Sequence, residues 1–180
     1  MPDVVELIMA DHREVERLFE MLQKEPDKRA LTLPTVSALL IAHSRAEEAE
    51  VYPVARSEAG EVEEVAHSQH EHAEAEEILA ELTGADPTSS RYDTLVQKLI
   101  DGVTHHVSDE EKEVLPGMKK QLSAERRNEL GQAFAAARAR HLGDRPGEAT
   151  RDELAAQARN LGKSGVSTMT KDQLERETSS

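Results

Sequence analysis

The chain has 180 residues and a formal net charge of −14 at pH 7. This acidity disfavours nucleic acid as the main partner, because phosphate backbones attract basic surfaces. The sequence contains no Cys, which excludes disulfides, iron–sulfur clusters, thiolate zinc sites and cysteine nucleophiles. Strand-forming residues are sparse, whereas Ala, Glu, Leu and Arg are abundant, so the composition predicts an all-α protein.

The start of the sequence gives no sign of export or membrane insertion. Met1-Pro2-Asp3 carries no basic segment, and no long apolar run follows it. Signal peptides and membrane-spanning helices require such runs. We therefore expect a cytoplasmic protein that does not associate with a membrane.

Apolar residues recur at helical spacing along most of the first 142 residues. Asp3, Pro34 and Ser123 suit helix starts, whereas residues 83–87 form a stop and turn. Helix B is expected to begin near Pro34, after a polar loop, and to be perturbed and ended by Pro53. The expected helices are A (about 3–25), B (34–52), C (61–82), D (90–116) and E (124–141).

Helices A and B are repeated as helices C and D. In A and C, a His has apolar residues three, six, seven and ten positions beyond it; in B and D, a His is followed four residues later by Glu. Residues four apart share one face of a helix. Two copied hairpins predict an antiparallel, up-and-down four-helix bundle, with helix E as an extra element. The repeated residues are His12, His43 and Glu47 in the first copy, and His72, His106 and Glu110 in the second.

These six residues occupy positions where core residues are expected. One buried His has an ordinary structural explanation, but a buried unpaired carboxylate is costly. Four imidazoles and two carboxylates placed by a repeat favour a site for two divalent metals, and mixed N and O ligands suit iron or zinc. A structural role without metal is the competing interpretation.

The other polar residues of these helices are expected outside the ligand set. His67, His70 and His105 lie off the buried stripes, and an additional ligand among them is left open. The acidic residues beyond Glu47, including Glu48, are expected to be solvated, and His141 is expected at the surface. Tyr52 is a candidate for a group beside the metal, or for a residue that packs on a loop.

The order of these motifs resembles the hemerythrin-like family, also called the HHE cation-binding domain, over roughly residues 3–140. The resemblance implies a four-helix bundle around two non-haem iron ions that are carboxylate- and oxo- or hydroxo-bridged. It implies that Glu47 and Glu110 are bridges. The implied His ligands are His12, His43, His72 and His106.

One position departs from the oxygen-carrying hemerythrins, which have a further His four residues before the position of His72; this sequence has Ser68. Six ligands leave more open coordination than seven and disfavour simple O₂ carriage. The resemblance therefore favours a protein that binds or processes O₂, nitric oxide or peroxide in oxidative or nitrosative stress defence. Whether it is an enzyme stays open, and the alternative is iron storage, delivery or sensing without turnover.

The C-terminal part of the sequence has a pattern of its own. Residues 143–149 contain Pro146 and Gly147 and are typical of a linker. We predict a bundle at residues 1–142 and a small helix–loop–helix tail at residues 150–180, capped by Thr150 and Thr170. The tail weakly resembles Rho-terminator N-terminal and SAP-like modules. Its five basic and five acidic residues give no charge signature for nucleic acid, so docking of a protein partner or capping is expected.

Overall fold

The computed structural model describes residues 2–179. Within that range the chain is helical and contains no strand, so the predicted all-α class is confirmed. Met1 and Ser180, the end residues of the predicted domains, lie outside the described residues. The α-helices are α1 (Val4–Lys24), α2 (Arg29–Ala46), α3 (Tyr52–Val54), α4 (Val62–Gly84), α5 (Ser90–Lys112), α6 (Val114–Gln121), α7 (Ala124–His141), α8 (Arg151–Asn160) and α9 (Lys171–Thr178).

Helices α1, α2, α4 and α5 form the predicted bundle, with α1 against α2 and α4 against α5. Its apolar core is divided into two clusters. One lies toward the hairpin loops and includes Leu22, Leu39 and Leu99. The other lies at the opposite end and includes Ile8, Tyr52 and Phe134. In the sequence of α1 and α4, the polar layer described below falls between residues of the two clusters.

The predicted start of the second helix was wrong. Helix α2 begins at Arg29, and Pro34 lies inside it. A 3-10 turn at Pro26–Lys28 leads directly into α2, and Arg29 Nε donates to the carbonyl of Leu22 at 2.8 Å. Pro34 has no N–H, so the helix lacks the one hydrogen bond that this residue would donate to the carbonyl of Ala30.

Pro53 does not end the second helix, contrary to the prediction. The chain continues through a π-helical segment, Glu47–Val51, then α3, then a second π-helical segment, Ala55–Ala59. The wider π turn pairs the amide of Tyr52 with the carbonyl of Glu47, which changes the local hydrogen-bond register just before Pro53. The helix ends at Gly60, whose φ of +82° suits glycine.

The fifth helix and the tail also form as predicted. Ser123 caps α7, which packs against α1 and α2. Thr150 and Thr170 cap α8 and α9 with capping boxes. The tail has a small apolar cluster that includes Leu154. The division into residues 1–142, 143–149 and 150–180 remains a prediction. No helix within residues 2–179 combines the length and the apolar character needed to span a bilayer.

Gly131 allows α7 to approach the start of α1. A Cβ at this position would lie 2.3 Å from the carbonyl oxygen of Pro2 and 3.1 Å from the amide nitrogen of Val4. We expect Gly131→Ala to lower the free energy of unfolding by about 1–3 kcal/mol, because backbone has to move. Urea unfolding measures the change.

The matched control is Gly102→Ala, on the exposed side of α5, where an added Cβ meets nothing within 4 Å. Alanine has the higher helix propensity, so we expect this change to raise the free energy of unfolding by about 0.5–1 kcal/mol. Equal effects of the two substitutions would contradict the close approach at Gly131.

Candidate metal centre

A layer of His and Glu side chains lies inside the bundle between the two apolar clusters. The structure brings together all six residues singled out in the sequence. Each is at most 6% exposed, and both glutamates are fully buried. Helix α1 supplies His12, α4 supplies His72, and α5 supplies His106 and Glu110. Helix α2 supplies His43, and the π-helical segment after it supplies Glu47.

The ligand-type atoms form two groups that share one carboxylate. His12, His43, Glu47 and Glu110 offer atoms within 4.8 Å of one another. Glu47 also belongs to the second group, with His72 and His106. Its Oε2 lies 3.2 Å from Nε2 of His43 and 3.4 Å from Nε2 of His72. This carboxylate therefore lies between the two groups of ligand-type atoms.

The remaining spacings also match those around a metal ion. Nε2 of His12 lies 3.3 Å from Oε2 of Glu110, and the Nε2 atoms of His72 and His106 are 3.2 Å apart. An ion with bonds of about 2.0–2.2 Å separates its ligand atoms by about 3 Å or slightly more.

Several of these buried atoms have no hydrogen-bond partner. They are Nε2 of His12, Nε2 of His43, Oε1 of Glu47 and both carboxylate oxygens of Glu110. Leaving such atoms unsatisfied costs on the order of 1–3 kcal/mol each, and more for charged groups. A cation bound among them would satisfy all of them together. The donor set thus fits a divalent metal.

The outer nitrogen of every imidazole is held by a carboxylate from a neighbouring helix. The four Nδ1–carboxylate pairs form a ring around the bundle. In each pair, a carboxylate of one helix contacts Nδ1 of a His on the next helix. This arrangement fixes each ring and turns its Nε2 inward. The pairs are His43 with Asp11 (3.1 Å), His72 with Glu48 (3.3 Å), His106 with Glu71 (3.0 Å) and His12 with Glu111 (2.9 Å).

Sequence reasoning missed these four carboxylates, although the repeat contained a signal for them. Asp11 and Glu71 each precede a His of the set, and Glu48 and Glu111 each follow a Glu of the set. The expectation that Glu48 is solvated was wrong, because its exposure is 2%. The π-helical segment brings Glu47 and Glu48 inward together.

The concentrated carboxylates perturb the titration of His43 and His72. Burial lowers the pKa of His43, but Glu47 and Asp11 outweigh this effect and raise it to about 10. Burial likewise lowers the pKa of His72, and Glu47 and Glu48 raise it to about 9. The layer therefore favours positive charge in its interior, which a metal cation also supplies.

Tyr52 faces the same layer. It is fully buried, and its hydroxyl lies 3.1 Å from Nε2 of His72 and 3.5 Å from Oε2 of Glu47. Burial and the nearby carboxylates, Glu47 first among them, hold the pKa of this phenol well above its usual value. Of the two interpretations of Tyr52, the structure favours a group beside the metal. Ser68 is also buried.

The other His residues lie outside this layer. His67, His70 and His105 are exposed, and none of them belongs to the two buried groups. His141 is partly buried, and its Nδ1 donates to Oδ2 of Asp144 at 2.7 Å.

Helix α7 covers one side of the layer. Phe134 contacts the ring of His43 edge-on, with centroids 5.8 Å apart, and Arg138 Nε lies 2.7 Å from Oδ2 of Asp11. These contacts separate His43 and its carboxylate partner from solvent.

The tail covers another side. Gln157 Nε2 donates to Oε2 of Glu48 at 2.9 Å, and Asn160 Nδ2 donates to the carbonyl of Glu48 at 3.0 Å. Arg45 pairs with the same carboxylate at 3.2 Å. The tail thus reaches the residue that orients His72.

Comparison with known proteins agrees with this geometry. The family described as Hemerythrin HHE cation binding domain matches residues 3–117. The chain belongs to this family. This hemerythrin-family chain is therefore a metal-binding protein with a helical bundle, as the sequence motifs predicted.

A relative from Nostoc sp. (strain PCC 7120), described as a DNA nickase, is 29% identical to the chain over 150 residues. The match spans 82% of this hemerythrin-family chain but only 42% of the relative. No solved structure gives a significant match.

The contact between the tail and Glu48 can be tested with Gln157→Ala. This change removes a donor from a buried carboxylate, so we expect the free energy of unfolding to fall by about 1–3 kcal/mol. Urea unfolding followed by circular dichroism measures it. Gln132→Ala, at an exposed position of α7, is the control and should change stability by less than about 0.5 kcal/mol. Indistinguishable midpoints for the two variants would refute the contact.

Proposed function

We propose that this chain is a non-haem di-iron protein that binds or processes O₂, nitric oxide or peroxide in oxidative or nitrosative stress defence. In this proposal, His12, His43 and Glu110 hold one iron, and His72 and His106 hold the other. Glu47, whose Oε2 lies near both groups, would be shared between the two ions. Two irons of this kind supply exchange of one or two electrons with a small molecule.

The observation that carries the proposal is the pair of ligand groups joined at Glu47. Each group contains at least two imidazoles whose Nε2 atoms point inward, and the shared carboxylate lies between them. A single-ion site does not need two such groups. Several of the buried donor atoms have no other partner, which further supports ion binding.

The chain's own residues have three roles in this function. The six ligands fix the positions of the ions. The four carboxylates behind the imidazoles orient the rings and raise the basicity of Nε2, which tunes affinity and redox potential. The apolar clusters on either side exclude bulk water and limit access to small molecules.

A small cavity supports the choice of a small ligand. It lies beside the layer, with a volume of about 20 Å³, which is room for roughly one water-sized molecule. Its wall combines the rings of His12, His43, His72 and His106 with apolar side chains such as Ile41 and Leu79. A diatomic molecule or peroxide matches this space, whereas an organic substrate does not.

The proposal is tested by metal analysis and absorption spectra of the full chain purified from iron-replete cells. We expect about two irons per chain and near-ultraviolet bands that change when peroxide or nitric oxide is added. Glu47→Ala removes the bridge and should reduce the iron content to at most about one per chain.

The matched control is His70→Ala, which removes an exposed imidazole from α4 and should leave iron content and spectrum unchanged. Unchanged iron content in Glu47→Ala would overturn the assignment of the bridge. One zinc per chain in the wild type, with no spectral response, would overturn the di-iron proposal.

The alternative is iron storage, delivery or sensing without turnover, in which the tail responds to the metal. The contacts of Gln157 and Asn160 with Glu48 favour this second candidate, because they connect the tail to the ligand layer. Steady-state consumption of peroxide or nitric oxide by the iron-loaded protein separates the two. Turnover favours the redox function, and stoichiometric binding without turnover favours storage or sensing.

The description of the relative as a DNA nickase suggests DNA as a substrate, but the charge of this chain argues against it. The net charge of −14 opposes contact with a phosphate backbone. We expect no nicking of supercoiled plasmid by the iron-loaded protein, with or without added Mg²⁺, in an agarose-gel assay. Relaxed plasmid that accumulates with time and protein concentration would contradict this expectation.

A further inference from the structure

A second group of metal-ligand side chains lies on the outside of the bundle. His67 and Glu71 are four residues apart on α4, and His105 and Asp109 are four apart on α5. Such pairs each share one helix face, and α4 packs against α5. The four side chains offer atoms that all lie within 4.8 Å of one another.

Two spacings within this group match those around a tetrahedral ion, and a third is slightly longer. Nε2 of His67 lies 3.4 Å from Oε1 of Glu71, and Nε2 of His105 lies 3.4 Å from Oδ2 of Asp109. The contact across the helices, from Nε2 of His105 to Oε1 of Glu71, is 3.8 Å. Zinc bonds of about 2.0–2.2 Å place tetrahedral ligand atoms about 3.3–3.6 Å apart.

Glu71 is fixed in a position that serves this group. Its Oε2 accepts from Nδ1 of His106 at 3.0 Å, which leaves Oε1 facing His67 and His105. The Glu71 side chain is only 10% exposed, whereas those of His67 and His105 are 56% and 63% exposed. The group therefore combines one anchored ligand with outer ligands that an ion in solution can reach.

The charge around the group is not balanced by the protein. Within residues 2–179, neither Glu71 nor Asp109 forms an ion pair with Lys or Arg; their ion-pair contacts are to His. In contrast, many other surface carboxylates of the chain are paired with Arg or Lys, as Glu58 is with Arg126. A divalent cation supplies the missing positive charge.

We propose that His67, Glu71, His105 and Asp109 bind one zinc-type divalent cation on the surface of α4 and α5, separately from the buried layer. Two imidazoles and two carboxylates without thiolate are a donor set that zinc accepts. Four protein ligands close the coordination sphere, which is typical of structural sites. The ion thus connects α4 to α5 from outside and stabilises their packing.

The test is zinc titration of the full chain after iron loading, by isothermal calorimetry with metal analysis of the same sample. We expect one additional equivalent of zinc per chain without release of iron. Thermal unfolding should shift to higher temperature with zinc, because a ligand of the folded state stabilises it. His105→Ala and Asp109→Asn should each weaken zinc binding by at least about tenfold.

His70→Ala is the matched control, because His70 also faces a carboxylate four residues later on α4, at 3.7 Å from Glu74. His70 and Glu74 are not part of the proposed zinc site. In His70→Ala, the affinity for zinc should therefore stay within about twofold of the wild type.

Three results would overturn the proposal: no added equivalent, equal weakening by His70→Ala, or zinc uptake matched by iron release. The last result places zinc in the buried layer. Since His105 and Asp109 are at least partly exposed, we expect both variants to fold, which circular dichroism checks. If the purified protein holds no iron, the titration still decides this proposal through the comparison of His105→Ala with His70→Ala.

Discussion

The closed ring of imidazole–carboxylate hydrogen bonds is the constraint on which the structure depends. Each bond crosses from one helix to the next, so the four contacts fix the helices to one another as well as the rings to the site. The buried layer interrupts the apolar core, where uncompensated polar groups are costly. The stability of the bundle therefore depends on partners for these buried polar atoms. Carboxylates of neighbouring helices supply them for the Nδ1 atoms, and a bound metal would supply them for the Nε2 atoms.

The repeat makes the two hairpins of the bundle similar, and α7 and the tail, which follow them in the chain, make them different. Helix α7 and the tail cover the first hairpin, including Asp11 and Glu48. On the other hairpin, the side chain of Glu111 remains 23% exposed. The orienting carboxylate of His12 therefore faces water, whereas that of His72 is enclosed by protein. Electrostatic interactions are therefore stronger around Glu48 than around Glu111, because the local dielectric constant is lower.

The convergence of the six His and Glu side chains could be predicted because a repeat places chemically matched residues at matched helical positions. The carboxylate partners of the Nδ1 atoms could not be predicted in this way. Glu71, for example, contacts a His of the neighbouring helix. Which helix is the neighbour depends on bundle packing, which periodicity does not encode. Glu48 was misjudged for a related reason: a π-helical turn changes which side chains face inward. The predicted helix start at Pro34 was wrong because propensity alone does not reveal that a 3-10 turn already leads into α2. The contact of Gln157 with Glu48 depends on a separation of 109 residues, which no local pattern reveals.

The docking of α8 on Glu48 occurs within one chain, and this affects how any other molecule could replace it. Residues 143–149 keep α8 close to its docking surface, and short tethers of this kind give effective concentrations on the order of millimolar. A competitor present at micromolar levels has to bind the same surface on the order of a thousand times more tightly to displace half of the tails. Any release of the tail would therefore respond to changes at Glu48 or in residues 143–149, and only weakly to the abundance of competing proteins.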